Sequence, residues 1–368
     1  MKLVDRSRDY ANFFAPAYAV RLGGNDLMRD LFVAVSQVEV DLQLGTASRF
    51  SFSITDCYSH KLRLFQTGRG ADLLEILAFG AEVEVFMGYG DAKSVPLAMS
   101  GLVTEISTSF PETGSPELAV SGYDHGFALT IGKNSRTWKD ATDSEAAQEI
   151  ASYNNLDGAI ASTRERRKQI EQNQESDWEF LKKLADRNHF ELYVDQHKKL
   201  HFAKPDDSAS AVVDLDYGEG LITFKPEANL AGQVARVEVY GWDPKNKEQI
   251  IGRASAGEES GKQGESAGQL LQKFVRDSSK LPTLRLRQPV FTQSEANERA
   301  KAALNERAKK FLTGDAEALG LPEIRPDRNV RLDRLGKRFS KTYYVQQATH
   351  KIDANGYRTR FKVKETGL

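Results

Sequence analysis

Residues 174–205, QESDWEFLKKLADRNHFELYVDQHKKLHFAKP, predict one helix followed by one hairpin. Ser176 and Glu179 have the spacing of a capping box, in which each side chain bonds the backbone N–H of the other residue, so the helix is expected to begin near Asp177 and to end near Asn188. Its apolar residues recur at three- and four-residue intervals and share one face; they are Phe180, Leu181, Leu184 and Ala185. Beyond the helix, apolar and polar residues alternate on both sides of a polar turn at 195–198, which is typical of two paired strands.

The segments on either side of this stretch are rich in strand patterns. Residues 17–124 contain short alternating runs separated by turns, which suggest a small sandwich or barrel. Apolar residues change phase near residues 36–37, where a bulge would keep both sets facing the core. Strand patterns return at 208–260 and 284–368. Because the chain exceeds the roughly 250–300 residues at which single cores divide, several domains are expected.

The second β-rich region carries two interruptions. Residues 254–268, ASAGEESGKQGESAG, bury too little apolar area to offset the entropy of ordering, so a mobile loop is expected there. Thr292 and Glu295 repeat the capping-box spacing, which predicts a helix at 292–312.

Charge is balanced overall but not locally. The net charge is −1, which argues for neither nucleic-acid binding nor attraction to an anionic membrane. Residues 72–124 contain nine acidic side chains and one basic one, whereas residues 321–368 contain twelve basic and five acidic ones. One interpretation is two solvated faces, and the other is that these regions meet across a subunit or domain boundary. On the second interpretation the interface residues are Glu82, Glu84, Arg358, Arg360 and Lys362.

The three basic residues of that set lie on one face of the last predicted strand, and Tyr357, Thr359, Phe361 and Val363 lie on the other. A row of basic side chains commonly protects an exposed sheet edge against aggregation. Edge protection is therefore the alternative to an interface for Arg358, Arg360 and Lys362.

The sequence lacks the patterns of the common catalytic and cofactor sites. Cys57 is the only cysteine, so neither an internal disulfide nor a thiolate zinc site is expected. His189, His197 and His201 lie close together, but their spacing does not match a helical zinc pair. No run approaches the ~18 apolar residues of a membrane span, and the first residues lack the apolar core of a secretion signal. We expect synthesis in the cytoplasm, no enzymatic activity, no cofactor or metal, no nucleic-acid specificity and no membrane insertion.

Several runs of sequence resemble one known family. ESDWEFLKKLADRNHFELYVDQHKKLHF at 175–202 resembles the central segment of baseplate hub proteins of contractile phage tails, the late-control protein D family, and the N-terminal hub part of the type VI secretion protein VgrG. GAEVEVFMGYG at 80–90 and LAVSGYDHGFALT at 118–130 look like the first barrel of that family. LDRLGKRFSKTYYVQQATHKIDANGYRTRFKV at 332–363 resembles its last barrel hairpin. The runs occur in the order of the family and span nearly the whole chain.

The resemblance implies an α+β, mainly β fold with two tube-type β-barrel domains and a small α/β insert between them. The first barrel would occupy residues 1–126, the insert residues 127–207, and the second barrel residues 208–368. In the family, three copies form a ring of six barrels around a lumen, so the implied function is a structural, non-enzymatic hub that adapts a hexameric inner tube to a trimeric spike.

The implied partners are two further copies of the chain, the inner tube protein, a trimeric spike and the baseplate wedge proteins. VgrG-type chains continue into a needle, whereas this sequence ends at Leu368, so the spike is expected to be a separate polypeptide. A myophage tail, an R-type tailocin and an extracellular contractile injection system all stay open as the particle.

Two alternatives come from other functional classes. A tail-associated cell-wall hydrolase would need a carboxylate pair or a zinc site in a cleft. A receptor-binding or carbohydrate-binding module should show an exposed groove lined by aromatic side chains.

Overall fold

Strands form most of the regular structure on both sides of residues 174–205. The computed structural model describes residues 2–7, 10, 13–207, 210–243, 246–261, 263–275, 277–290 and 292–368. The first elements are α1 (Leu3–Arg6), β1 (Pro16–Leu22), β2 (Asn25–Asp26), β3 (Ala34–Gln43), β4 (Arg49–Thr55), β5 (Tyr58–Ser59), β6 (Leu64–Phe65), α2 (Leu73–Ile76), β7 (Glu82–Tyr89), β8 (Leu97–Ser109) and β9 (Glu117–Asp124).

The remaining elements fall into two further groups along the chain. The middle group is α3 (Phe127–Thr130), β10 (Asn134–Thr142), α4 (Asp143–Tyr153), β11 (Asp157–Ile160), β12 (Arg166–Glu175), α5 (Asp177–Asn188), β13 (Glu191–Val194) and β14 (Lys199–Ala203). The last group is β15 (Val213–Tyr217), β16 (Gly220–Ala228), β17 (Arg236–Asp243), β18 (Glu248–Ser255), α6 (Ala267–Phe274), β19 (Thr283–Arg287), α7 (Gln293–Ala308), β20 (Leu312–Leu319), β21 (Asn329–Asp333), α8 (Gly336–Phe339), β22 (Lys341–Asp353) and β23 (Gly356–Glu365).

A single 13-stranded sheet connects the two β-rich regions, in the order β2-β1-β7-β8-β9-β4-β3-β22-β21-β15-β16-β20-β23. We call β1, β3, β4, β7, β8 and β9 the first unit, and β15, β16, β20, β21, β22 and β23 the second unit. An additional pairing of β22 with β23 closes the second unit into a six-stranded barrel. The mainly β, α+β fold predicted from the sequence is therefore confirmed. The domain boundaries at 126/127 and 207/208 stay predictions.

Alternation along the strands gives each unit its core. In β4 the side chains of Phe50, Phe52 and Ile54 are buried while the residues between them face outward. The first unit curls so that the Tyr18 hydroxyl of β1 donates to the Val35 carbonyl of β3. The bulge predicted near residues 36–37 is confirmed, because the β3–β4 register shifts between Val35 and Gln37.

The two units share one connectivity over five strands. In chain order, β3, β4, β7, β8 and β9 correspond to β16, β20, β21, β22 and β23, and neighbours in one set are neighbours in the other. The registers correspond as well: Val83 opposite Gly101 matches Val330 opposite Tyr343. The sixth strand differs, because β1 is antiparallel to β7 whereas β15 is parallel to β21. The second unit thus repeats most of the first.

The middle group forms its own apolar cluster. The α4 helix begins with the capping box of Thr142 and Glu145, and α5 with that of Ser176 and Glu179. The predicted helix near 177–188 is confirmed as α5, which ends where His189 takes a left-handed conformation at φ 56°. Trp138 and Phe180 stack with their ring centroids 5.2 Å apart inside this cluster.

A small sheet of β18, β17 and β19 lies between β16 and β20 in the chain, and α7 covers one of its faces. The predicted helix at 292–312 is too long, because α7 ends at Ala308 and Leu312 already begins β20. Residues 254–268 are not one loop: β18 ends at Ser255, and Ser266 caps α6.

The connection between β18 and α6 is hydrogen-bonded to β23 and to α7. The Gln263 amide donates to Glu365 Oε1 at 3.1 Å, and the Ser260 amide donates to Asn305 Oδ1 at 2.9 Å. Lys262 of the same segment lies outside the described residues.

Candidate subunit interface

The residues predicted at an interface lie on two strands of different units. Glu82 and Glu84 belong to β7, and Arg358, Arg360 and Lys362 belong to β23. Among the described residues, no ion pair within 4.0 Å joins the acidic pair to the basic row. The structure of one chain therefore does not bring the two groups together.

Glu82 already has partners within the chain. Its carboxylate forms an ion pair with Lys198 Nζ, in the turn between β13 and β14, and lies 3.6 Å from His125 Nε2. Burial lowers the pKa of His125, so Lys198 is the charged partner near neutral pH. Glu82 thus joins the first unit to the middle group. Glu84 lies opposite Arg21 of β1 and Ser100 of β8 in the sheet.

The basic row lies on the outer face of the closed barrel. Arg360 Nε is 3.2 Å from Glu317 Oε2 on β20, and Lys362 lies opposite Asp315 of the same strand. Edge protection is the wrong interpretation of this row, because β23 pairs with β20 on one side and with β22 on the other. A closed barrel has no edge to protect.

The contact between the two units is a seam of two strands that sequence analysis missed. β22 is 13 residues long, and its first part pairs with β21 while residues 347–352 pair antiparallel with β3. Asp41 of β3 accepts hydrogen bonds from Gln347 Nε2 at 2.9 Å and from Thr349 Oγ1 at 2.8 Å. Strand length was the signal that could have revealed the seam. β21 has five residues and cannot pair with the whole of β22, so the rest of that edge needs another partner.

A buried histidine supports the seam from inside. His350 is 1% exposed; its Nδ1 lies 3.0 Å from the Tyr357 hydroxyl, and its Nε2 lies 3.0 Å from the Ile324 carbonyl oxygen. Burial, with a smaller contribution from the charge of Arg325, lowers the pKa of His350 to about 3. The imidazole is therefore neutral near pH 7, and its contacts are those of a hydrogen-bonded structural histidine.

Two buried carboxyl groups occupy corresponding places at the ends of β9 and β23. Asp124 accepts from the amides of Ser48 at 2.7 Å and Gly126 at 2.8 Å. Glu365 accepts from the amide of Gly367, also two residues further along the chain, at 3.2 Å. Burial raises the pKa of Asp124 to about 7, and it raises the pKa of Glu365 as well. The repeat between the units thus extends to buried chemistry.

The described residues bear on metal binding and on membrane insertion. They contain no group of three or more His, Cys, Asp or Glu side chains that is able to hold a metal ion. His201, one of the three neighbouring histidines, lies 2.9 Å from Asp195 Oδ2 and stacks on Tyr193. None of the described helices is both long enough and apolar enough to cross a membrane.

Solved structures with this fold include two tail proteins and a component of a type VI secretion system. A tail protein from Neisseria meningitidis MC58 superposes with a TM-score of 0.68 over 96% of this chain and 97% of that chain, at 14% sequence identity. The 43 kDa tail protein of prophage MuSo2 from Shewanella oneidensis gives a TM-score of 0.69 over 96% and 99%, at 13% identity. An E. coli component of the type VI secretion system gives 0.55 over 94% and 76%, at 11% identity.

The resemblance to hub proteins is therefore confirmed at the level of the fold. No curated protein matches the sequence. A match to a protein family covers residues 17–354, which include the middle group, the seam, and all strands of both units except β23 and the first residue of β1. The chain belongs to the family described as the Alg8 N-terminal domain.

Proposed function

We propose that this chain is a structural hub of a baseplate, in which three copies form a ring that adapts a hexameric inner tube to a trimeric spike. The observation that carries the proposal is the pair of units with matching connectivity, joined through β3 and β22. Three copies would supply six such units but only three middle groups. One face of the ring would then match a six-fold partner, and the other a three-fold partner.

The fold shared with the Neisseria and Shewanella tail proteins supports a place in a phage tail or a related particle. The type VI secretion component of the same fold extends that support to contractile injection. The proposed partners are the inner tube protein, a trimeric spike protein and the wedge proteins of the baseplate. The proposed role is structural and non-enzymatic, with synthesis in the cytoplasm before assembly into the particle.

The test is the mass of the purified protein, alone and mixed with the tube and spike proteins of the same particle. The proposal predicts a species of three times 41.0 kDa in at least one of these conditions. Both conditions are needed because a ring can depend on its partners for stability. A protein that stays monomeric with both partners present would contradict the proposal. Loss of turbidity when the protein is added to peptidoglycan would instead favour a hydrolase.

One observation favours the alternative of a carbohydrate-binding or receptor-binding module. A cleft of about 1010 Å³ opens on the small sheet of β17–β19 and is lined by Tyr240, Trp242, Arg285 and Arg287, among others. Trp242 is 55% exposed, and aromatic faces of this kind stack on sugar rings. Binding of a glycan array by the monomer, abolished in Trp242→Ala and retained in Tyr217→Ala, would support this alternative.

A further inference from the structure

The seam inside the chain has an unused counterpart on its surface. In the second unit, β22 pairs with β21 through residues 341–344 and with β3 of the first unit through residues 347–352. The corresponding strand of the first unit is β8, which is also 13 residues long. Its first part pairs with β7 in the register that β22 has with β21. Beyond that part, β8 pairs with β9 on one side only among the described residues.

Bulges at matching positions show which residue of β8 corresponds to which residue of β22. The β8–β9 register shifts between Val103 and Glu105, and the β22–β23 register shifts between Val345 and Gln347. Glu105 therefore corresponds to Gln347, and the exposed end of β8 corresponds to the part of β22 that pairs with β3.

The other half of the seam has a counterpart as well. β3 corresponds to β16, because their registers with the next strand shift between Val35 and Gln37 and between Leu221 and Thr223. β16 pairs with β20 along its length and with β15 only near Gly220. From Ile222 to Ala228 its other side is a free edge within the described part of the chain.

We propose that β8 of one copy pairs antiparallel with β16 of the next copy, with Glu105 opposite Asn229 and Phe110 opposite Phe224. The register follows from the internal seam, in which Gln347 lies opposite Gln43 and Ile352 opposite Val38. The inference rests on the proposed ring and says which strands close it. Each unit then contacts the next through the same pair of strands, alternately within a chain and between chains, as a closed ring requires.

Backbone groups of β8 face the proper way for this ladder. In antiparallel sheets successive residues direct their N–H and C=O groups to opposite neighbours. The backbone N–H of Asp124 in β9 donates to the Ser48 carbonyl at 2.9 Å, on the side of β4. The backbone N–H and C=O groups of Ser121 and Ala119 therefore point the other way, toward β8. The backbone groups of their partners Glu105 and Ser107 point toward β9, and those of Thr108 point toward the free edge.

Backbone groups of β16 meet the same requirement. The backbone N–H of Asn229 donates to the Phe311 carbonyl at 2.8 Å, so the backbone groups of Glu227 and Lys225 also point toward β20. The backbone groups of Phe224, Pro226 and Ala228 point toward the free edge. Proline has no N–H, so the ladder lacks one bond at this place, which also protects the separate protomer from indiscriminate strand pairing.

Side chains at corresponding places are complementary in the same way. Asp41 and Thr349, hydrogen-bonded across the internal seam, correspond to Glu227 and Ser107, an acceptor and a donor. Ile352 and Val38, both buried, correspond to Phe110 and Phe224.

Phe110 is 60% exposed in the single chain. One side of its ring packs on Tyr58, and the two ring centroids lie 5.4 Å apart. A second copy seated on β8 would cover its other side and remove apolar surface from water.

Cysteine pairs test the register. Ser109 and Lys225 would face each other as a pair without mutual hydrogen bonds, where Cα atoms lie about 4.5 Å apart and a disulfide fits. Ser109→Cys and Lys225→Cys proteins, mixed under oxidising conditions with the tube and spike proteins present, should form a heterodimer that reductant dissolves. The matched control pairs Ser109→Cys with Asn229→Cys, four residues out of register and about 13 Å further along the strand. Native Cys57 is buried, and wild-type protein controls for its oxidation.

A backbone variant supplies the second test. Thr108→Pro removes an N–H that faces the free edge, so the monomer keeps its bonds, while the ring should weaken about tenfold in its dissociation constant. Thr108→Val keeps the N–H and should form the ring like wild type. If the ring forms but gives no disulfide between the Ser109→Cys and Lys225→Cys proteins, or if Thr108→Pro does not weaken the ring, the pairing of β8 with β16 is wrong. The proposed hub function is unaffected by either result. A chain that forms no ring with its partners overturns both.

Discussion

The two units share connectivity and register, yet they fill corresponding space with different side chains. In the first unit Phe50 lies opposite Gly122, and in the second unit the corresponding pair is Gly314 opposite Val363. Gly101 of β8 likewise corresponds to Tyr343 of β22. A large side chain on β4 thus replaces large side chains on β22 and β23. Packing constrains the total volume of a layer more strongly than the strand that supplies it.

The units also differ in what covers them. The end of β22 is covered by β3, whereas the corresponding end of β8 is exposed. One backbone plan therefore occurs once with a partner and once without. Substitutions in each unit should separate the residues that stabilise the single chain from those on edges available to a second copy.

The largest expected effect is on the core of the first unit. Phe50→Ala should lower the free energy of unfolding by about 3–5 kcal/mol, because the phenyl ring fills the space over two glycines and leaves a cavity. A Cβ at Gly122 would lie 1.9 Å from the Leu102 carbonyl oxygen, so the backbone leaves no room for a larger residue there to compensate. Urea unfolding followed by fluorescence measures the loss. Phe110→Ala is the exposed control. A loss of stability as large as that of Phe50→Ala would contradict the claim that Phe110 contributes little to the single chain.

The next effect is on the pH dependence of stability. The folded chain holds Asp124 with its pKa raised from 3.8 to about 7, so between these values the folded state keeps a proton that the unfolded state has released. The stabilisation is fully present below the unfolded pKa and is lost as pH rises through about 7; at about 1.4 kcal/mol per pKa unit it amounts to a few kcal/mol at most.

Unfolding at pH 4, 5.5 and 7 measures this dependence. Asp124→Asn should flatten the decline, and Glu365→Gln should do the same for the corresponding group of the second unit, whose pKa is also raised by burial. Identical pH profiles for the wild type and Asp124→Asn would show that this carboxyl group is ionised alike in both states.

The seam itself should contribute less. Asp41→Ala removes an acceptor shared by Gln347 and Thr349 and should cost about 1–3 kcal/mol in the single chain. Glu227 is the corresponding residue on the exposed edge of β16, and Glu227→Ala should leave the stability of the monomer unchanged. Thermal unfolding of dilute protein compares the two. A monomer destabilised equally by both would mean that β16 already has a partner.

The smallest effect on the single chain is expected from the basic row. Reversing Arg358 and Arg360 to Glu should change monomer stability by less than about 1 kcal/mol per residue, because the Arg360 side chain of the Arg360–Glu317 pair is exposed to solvent. Assembly should weaken at low salt and recover as salt screens the reversed charges. Light scattering at low and high ionic strength measures the mass of the oligomer. An oligomer mass unaffected at low salt would remove these two residues from the interface.

Local patterns carried much of the fold. The capping box and periodicity of residues 174–205 predicted α5 with both ends correct, because a helix start and its apolar face are local features. The phase change near residues 36–37 predicted a bulge for the same reason. The end of α7 was placed too late, because Phe311 continues the apolar spacing although its side chain belongs to the core next to β20.

The seam and the repeat were beyond such patterns. Nothing local distinguishes the part of β22 that pairs with β3 from the part that pairs with β21, since both alternate alike. The repeat is hidden because Phe50 corresponds to a glycine and Gly101 to a tyrosine, so the backbone register is kept while sequence identity is lost. The predicted interface residues were chosen by charge, and charge said nothing of Ser107 or Thr108, which lie on the uncovered edge.

The central claim is that three chains repeat between them the contact that each chain makes within itself. Electron cryomicroscopy of the ring, formed with the tube and spike proteins, tests it most directly. The account predicts six similar β units around one axis, three middle groups outside them, and strand β8 of each copy hydrogen-bonded to β16 of the next. A ring in which another pair of strands joins the copies, or a two-fold dimer, would contradict it.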